Sequence, residues 1–316
     1  MGFLGFNNWS DPKLAVSSSL WESGQVGTGF LTPTPLVLPD GTLRIFGGVR
    51  DVAGRSVVCW ADLDSVSLKV VDFSNTPCFD TRDSDDFDTD GAILGDVSLS
   101  DGIMTMIYVG FRKSREVKFQ ALTGLATSMD FGISWTRQDS PFMRFHSDVP
   151  KTDIFAVHSM SNHKKIFEYF VAIGNGWEMI NQVQYPKYQT YSLTGKNLES
   201  LELSSAPIIK LPDEVYRLGR PRYFFSQDTK EEYLLATGGK RDGDYRPYIF
   251  KKILNEWVLS AEQFTIEPGH LSGFMKQVSY PSVIEYDNRC LAFFNGDDMG
   301  RAGCYVTQAS RKKDLE

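Results

Sequence analysis

Between residues 87 and 138 the chain alternates apolar and polar positions in four runs, near 91–99, 103–110, 119–128 and 133–138. The runs are rich in β-branched and aromatic residues. They are broken by Ser100-Asp101-Gly102, by the charged Arg112–Lys118 stretch, and by Asp130-Phe131-Gly132. Asp-Gly and other Gly-containing breaks between alternating runs are hairpin signals. The stretch therefore predicts a four-stranded antiparallel meander. Its first and third connections are tight, and its second is longer and charged.

The same order of parts recurs along the chain. Residues 30–73 read FLTPTPLVL, a Pro39-Asp40-Gly41 turn, TLRIFGGV, a charged loop from Arg50 to Arg55, SVVCWADLD and SLKVVDF. A third unit, 153–203, has its long loop expected at 175–187, carrying Trp177 and Glu178. A fourth, 220–259, uses 239–245 as its charged loop. The last, 278–308, has Asp297–Arg301 as its loop and lacks a fourth run. First runs begin about 60 residues apart, within reach of the longer propeller repeats. No segment carries a convincing helical period, so a βαβ reading has no helices to use. The expectation is an all-β, five-bladed β-propeller of four-stranded antiparallel blades in one domain, 1–316, with the N-terminal segment completing the last blade. Two β-sandwiches are the alternative architecture.

In an up-and-down meander the second connection and the connection to the next unit emerge on one face. The long charged loops should therefore gather round one mouth of a central channel, where loops on a rigid scaffold usually carry function. Four of the five second loops carry or border arginines: Arg50 and Arg55, Arg112 and Arg115, Arg241 and Arg246, and Arg301. Arginine forks grip carboxylate or phosphate in bidentate fashion. An anionic ligand is thus expected over a neutral one, with Trp177 and Phe111 offering aromatic faces beside it.

Composition narrows the classes. With 316 residues, 41% of them hydrophobic, the chain can bury a sizeable core. A net charge of −7 argues against wholesale nucleic-acid binding. No apolar run approaches the roughly 20 residues of a membrane helix. No secretory signal is visible, and Phe6 stands where myristoylation wants Ser or Thr. Cys59, Cys78, Cys290 and Cys304 show no C-x-x-C pairing, so reduced, buried thiols in a cytoplasmic protein are expected. Asp86-x-Asp88-x-Asp90-Gly91 resembles the start of a calcium loop, but Val97 occupies the position of the closing Glu, and an acidic turn is the better reading. The four histidines show no metal spacing, although His158, inside an inner strand, could line the channel. No phosphate-binding glycine loop precedes a helix.

Ser128-x-Asp130-x-Gly132-x-x-Trp135 resembles the Asp-box of sialidases and other propellers, a turn stabiliser between third and fourth strands. A broader resemblance covers nearly the whole chain. It rests on Leu43-Arg44-Ile45-Phe46 with Arg50-Asp51 and Gly54-Arg55-Ser56, on Phe87-Asp88-x-x-Gly91, Asp96-Val97, Tyr108-Val109-Gly110 and Gly124-Leu125-Ala126. Gly219-Arg220-Pro221, Tyr280-Pro281, and Phe294-Asn295-Gly296-Asp297 with Gly300-Arg301 continue it. The chain resembles the five-bladed propeller glycosidase superfamily of arabinanase-like, fructosidase-like and mannoside-phosphorylase-like enzymes. Within it, the chain is similar to a branch linked to polysaccharide or glycoconjugate biosynthesis.

The resemblance implies carboxylates at the inner ends of strands around the mouth. An inverting pair sits about 6.5–9.5 Å apart. Asp96 is the expected base, with Asp51 or Asp153 assisting. Gln25, Arg50, Arg112, Trp177, Arg220, Arg246, Gln277, Asn295, Asp297 and Arg301 are the expected sugar contacts. One position departs from the pattern: Gln277 stands where relatives in this branch often carry an acid before the last blade's Tyr-Pro. Gln277 can hydrogen-bond a sugar but cannot deliver a proton. Three readings follow: a hydrolase, transferase or other sugar-modifying enzyme acting on a carbohydrate or nucleotide- or phospho-sugar; a non-catalytic carbohydrate-binding propeller; and a protein-interaction scaffold.

Overall fold

The computed structural model describes residues 4, 6, 8–22, 26–82, 86–142, 152–163, 166–241, 243–262, 264, 266, 274 and 276–310. The all-β, four-stranded antiparallel organisation read from the sequence is what it shows. In chain order, β1 (Lys13–Ser17) precedes a first unit of β2 (Gly27–Val37), β3 (Leu43–Asp51), β4 (Ser56–Leu63) and β5 (Val70–Phe73). A second unit has β6 (Gly91–Ser100), β7 (Ile103–Arg112), β8 (Gln120–Ser128) and β9 (Thr136–Arg137). A third has β10 (Ile154–His163), β11 (Ile166–Ile180), β12 (Val183–Gly195) and β13 (Glu202–Leu203). Next come β14 (Val215–Phe225), β15 (Glu232–Lys240), β16 (Tyr245–Ile253) and β17 (Glu256–Leu259). The chain then forms β18 (Ser279–Tyr286), β19 (Arg289–Asn295) and β20 (Gly303–Ser310). β1 adds to the free edge of β20, so the last unit is also four-stranded although its outer strand comes from the other end of the chain. The second and third units are joined by a short parallel pairing of β8 with β10.

Each sheet has two apolar faces and must be covered on both. The apolar clusters show how. Leu43, Ile45 and Val57 of the first unit pack with Leu291, Phe293 and Val306 of the last. Phe46 and Trp60 pack with Leu94 and Met106 of the second unit. Ile107 and Leu125 pack with Phe155 and Val171, and Phe170 with Leu218 and Phe250. Tyr233 and Ile249 then meet Cys290 and Phe294. The interfaces run in a closed cycle, so every face finds a neighbour.

Tight turns follow the sequence logic. Asp101-Gly102, Leu254-Asn255 and Asp287-Asn288 all turn with both residues at positive φ, the conformation two-residue hairpins need. The third unit departs from expectation. Residues 175–187 are not a loop: β11 and β12 run on as one long hairpin closed by Asn181-Gln182 at φ 50° and 65°. Alternation of Trp177, Met179, Val183 and Tyr185 sustains the ladder, with a bulge between Gly174 and Trp177. The cysteines are all free, with Cys59, Cys290 and Cys304 buried. Among the described residues no helix is long and apolar enough to cross a membrane.

Candidate functional site

The innermost strand of every unit, β2, β6, β10, β14 and β18, breaks register near its middle. The breaks fall at Leu31/Thr34, Leu94/Asp96, Val157/Ser159, Gly219/Arg222 and Ser279/Ser282. Thr32, Gly95, His158, Arg220 and Tyr280 occupy these bulges. Thr32, Arg220 and Tyr280 sit at φ 53°, 52° and 54°, and each precedes a proline. A non-glycine residue in this region costs of order 1–3 kcal/mol and persists only where its surroundings hold it.

The surroundings are a hub of hydrogen bonds. Arg220, 2% exposed, donates through Nη2 to the Thr32 carbonyl at 2.8 Å and to Thr34 Oγ1 at 2.6 Å, tying β14 to β2. Arg222 donates to the carbonyls of Gly95 and His158 at 2.8 and 3.2 Å and pairs with Asp96 at 2.7 Å, tying β14 to β6 and β10. Ser159 Oγ donates to the Pro221 carbonyl, and the Tyr280 amide donates to Thr237 Oγ1. Asn295, fully buried, accepts from the Thr32 amide and donates to the carbonyls of Phe30 and Gly303.

Above the hub, on the face of the second connections, lies a cavity of about 230 Å³. Its floor is formed by Thr32, His158, Gly219, Arg220 and Tyr280. Its walls include Phe111, Phe119, Tyr188, Arg217, Tyr245 and Met299. Arg217 is largely buried and makes no ion pair among the described residues. Its one hydrogen-bond partner there is the Tyr245 hydroxyl. Its guanidinium stands 5.1–5.9 Å from the ring centres of Tyr185, Tyr188, Tyr216 and Tyr245, a cation held by π faces instead of a carboxylate. Burial, reinforced by Arg220 and Arg222, pushes the His158 imidazole down to about 3, so it is neutral at ordinary pH, and its buried Nδ1 has no partner. Three guanidiniums thus converge on this region against the single carboxylate that pairs with one of them, Asp96. A second cavity shares Tyr245 and Met299 with the first and reaches Gln277, Lys240 and Arg241.

The residues singled out in the sequence fall in different places. Arg220 lines the cavity floor. Asp96 lies beneath it, accepting from Arg222 and from the amides of Val97 and Met160. Asp51 is turned onto its own loop, accepting from the amides of Ala53 and Arg55 and from Arg55 Nε. Asp153 lies just before β10 and accepts from Gln120 at 3.4 Å. Arg50 is exposed at the end of β3. Arg112 ends β7, and Arg301 borders a separate surface cavity. Arg246 pairs with Asp244 beside another outer cavity. Trp177 packs edge-on against Phe119, which in turn meets Phe111, so it braces the wall. Asp297 accepts from the amides of Lys276 and Gln277, while the Gln277 side chain accepts from the Met299 amide. Gln25 lies outside the described residues. Asp86, Asp88 and Asp90 turn to different cations: Arg82 for Asp86, Arg82 and Arg137 for Asp88, Lys113 for Asp90. Sequence reasoning missed Arg217, Tyr188 and Tyr245. The available signal was the YRLGRPRY stretch, whose arginines two and three positions apart straddle a strand break.

Solved structures share this architecture. One titled "Glycoside hydrolase" aligns over 96% of this chain and 92% of its own, with a TM-score of 0.69 at 14% identity. A sucrose-6-phosphate hydrolase from Lactobacillus gasseri aligns over 94% of this chain and 64% of its own, with a TM-score of 0.64 at 14% identity. The chain shares the fold of these solved structures. A GH32 β-fructofuranosidase from Bombyx mori also matches, with a TM-score of 0.64 at 13% identity over 94% of this chain and 62% of its own. No protein-family model and no curated protein sequence matches the chain.

Proposed function

We propose that this chain is a five-bladed, single-domain member of the propeller group and a carbohydrate-active protein whose mouth cavity takes a sugar bearing a carboxylate or phosphate. The observation that carries the reading is Arg217, a largely buried cation without an ion-pair partner among the described residues, facing an aromatic-walled cavity of about 230 Å³. A buried charge is costly unless paired, and an anionic ligand supplies the missing partner. Phe111, Phe119 and the tyrosines supply apolar faces for a pyranose.

Thermal-shift titration with galacturonate, glucuronate, hexose phosphates and their neutral counterparts tests this, because a ligand that binds only the folded state raises its melting temperature. Anionic sugars should bind and neutral ones should not. Arg217→Ala should weaken binding about 10- to 100-fold, the value of a charge-assisted hydrogen bond. Equal binding of neutral sugars would remove the reading. A second reading, binding without hydrolysis, has its own support: no Asp or Glu is among the described residues lining the cavity, whereas glycoside hydrolysis ordinarily uses a facing carboxylate pair.

A further inference from the structure

Tyr188, Tyr245 and Tyr280 line the mouth cavity together with Arg217. Arg217 Nη2 donates to the Tyr245 hydroxyl oxygen, so a cation sits against the atom that carries the negative charge when this group acts as a base. The Tyr188 hydroxyl rests against β14 at Gly219: a Cβ there would stand 3.0 Å from it. Burial raises Tyr188 and Tyr280, keeping both protonated.

This set lacks the carboxylate pair of hydrolysis, but it holds what another route to cleaving a sugar chain requires. In a 4-linked uronic acid the C5 hydrogen lies next to the C6 carboxylate. Neutralising that carboxylate stabilises the carbanion character that develops at C5. Resting on the reading that the ligand is anionic, we propose that the cavity cleaves 4-linked uronates by β-elimination, with Arg217 holding the C6 carboxylate, Tyr245 taking the C5 proton and Tyr188 protonating the departing oxygen. The reacting form carries the Tyr245 phenolate, which the C5 proton converts to phenol. The C5–H electron pair becomes the C4=C5 double bond, the C4–O4 bond breaks, and O4 receives the Tyr188 proton. A proton returned from Tyr245 to Tyr188 through water restores both groups. No oxidant, reductant or added water molecule is consumed. His158 is excluded as the base: its burial, and then Arg220 and Arg222 beside it, oppose the imidazolium that taking a proton would form.

The test incubates the full chain with oligogalacturonides and with oligosaccharides containing 4-linked glucuronate. It follows the ultraviolet absorbance of a double bond conjugated to the carboxylate, alongside total reducing ends. Elimination produces both signals together on at least one uronate and neither on neutral chains. Tyr245→Phe should lower the rate by about 10²- to 10⁴-fold, the contribution of a positioned proton acceptor, while uronate binding in the thermal-shift assay persists. Reducing ends without the absorbance would mean hydrolysis and overturn the proposal. Uronate binding with no product across the panel would also overturn it and leave the anionic-sugar reading standing. Absence of any binding would remove both.

Discussion

Replacing Asp96 with Asn separates a carboxylate that does chemistry from one that holds the hub together. In the structure Asp96 Oδ1 pairs with Arg222 Nη1 at 2.7 Å, and Oδ2 accepts from the Met160 amide at 3.1 Å. Both side chains are nearly out of solvent, at 15% and 10% exposure. Removing one member of a buried pair costs about 3–5 kcal/mol, because the other charge stays buried alone. Asn retains a carbonyl oxygen for one of these contacts, and Arg222 keeps the Gly95 and His158 carbonyls. The loss should therefore fall near the lower end, about 2–3 kcal/mol. At roughly 2–4 °C per kcal/mol for a chain of this size class, the melting temperature should drop by about 4–12 °C. Differential scanning calorimetry reads the drop, and the same sample is then titrated with uronate below its new transition. The structure implies a destabilised protein whose ligand affinity is near that of the parent. An unchanged melting temperature with binding or turnover abolished would refute the reasoning and return Asp96 to the role of a reacting carboxylate.

Two further outcomes check the scaffold. Gly95→Ala places a Cβ 2.4 Å from the Val157 carbonyl oxygen and 2.9 Å from that of Ile107; because backbone must move, it should cost about 1–3 kcal/mol or more in urea unfolding, and a neutral result would show that the β6 bulge is looser than drawn. At Asp130, burial raises the carboxyl, but hydrogen bonds from Ser134, Ser128 and Ile133 outweigh it and hold the group at about 2, against an ordinary 3.8. A depressed carboxyl stabilises the fold above its unfolded value and loses that contribution as pH falls through the folded one. The parent should therefore lose stability between about pH 4 and pH 2 more steeply than Asp130→Asn, measured by thermal melts across that range; coincident profiles would rule this out.

Much of the scaffold is legible in the chain because strand periodicity and turn chemistry are local. Alternating runs, Asp-Gly and Asx-containing turns and the Ser128–Trp135 box each constrain a few neighbouring residues, and the order of runs and turns repeats about every 60 residues. The hairpin of β11 and β12 was missed for the same reason: Asn181-Gln182 is a weaker turn signal than Asp-Gly, and Gly174 and Gly176 look like the start of a loop although they only bulge a strand. Motif resemblance led to acidic residues, since carboxylates are what glycosidases use. Burial and pairing sent them elsewhere: Asp96 to Arg222, Asp51 to its own turn, Asp297 to two backbone amides.

The sequence by itself determined that the chain is β throughout, that it repeats a four-stranded meander, and that basic loops recur at one position of the repeat. Only the tertiary structure decided which side chains face the axis. Those residues come from five inner strands far apart in sequence, and a register break in each rotates the next side chain to the other face. That is why Thr32, His158, Arg217, Arg220 and Tyr280 meet in one cavity, which Tyr188 and Tyr245 reach from the third strands β12 and β16, while the arginines of the second loops do not line it.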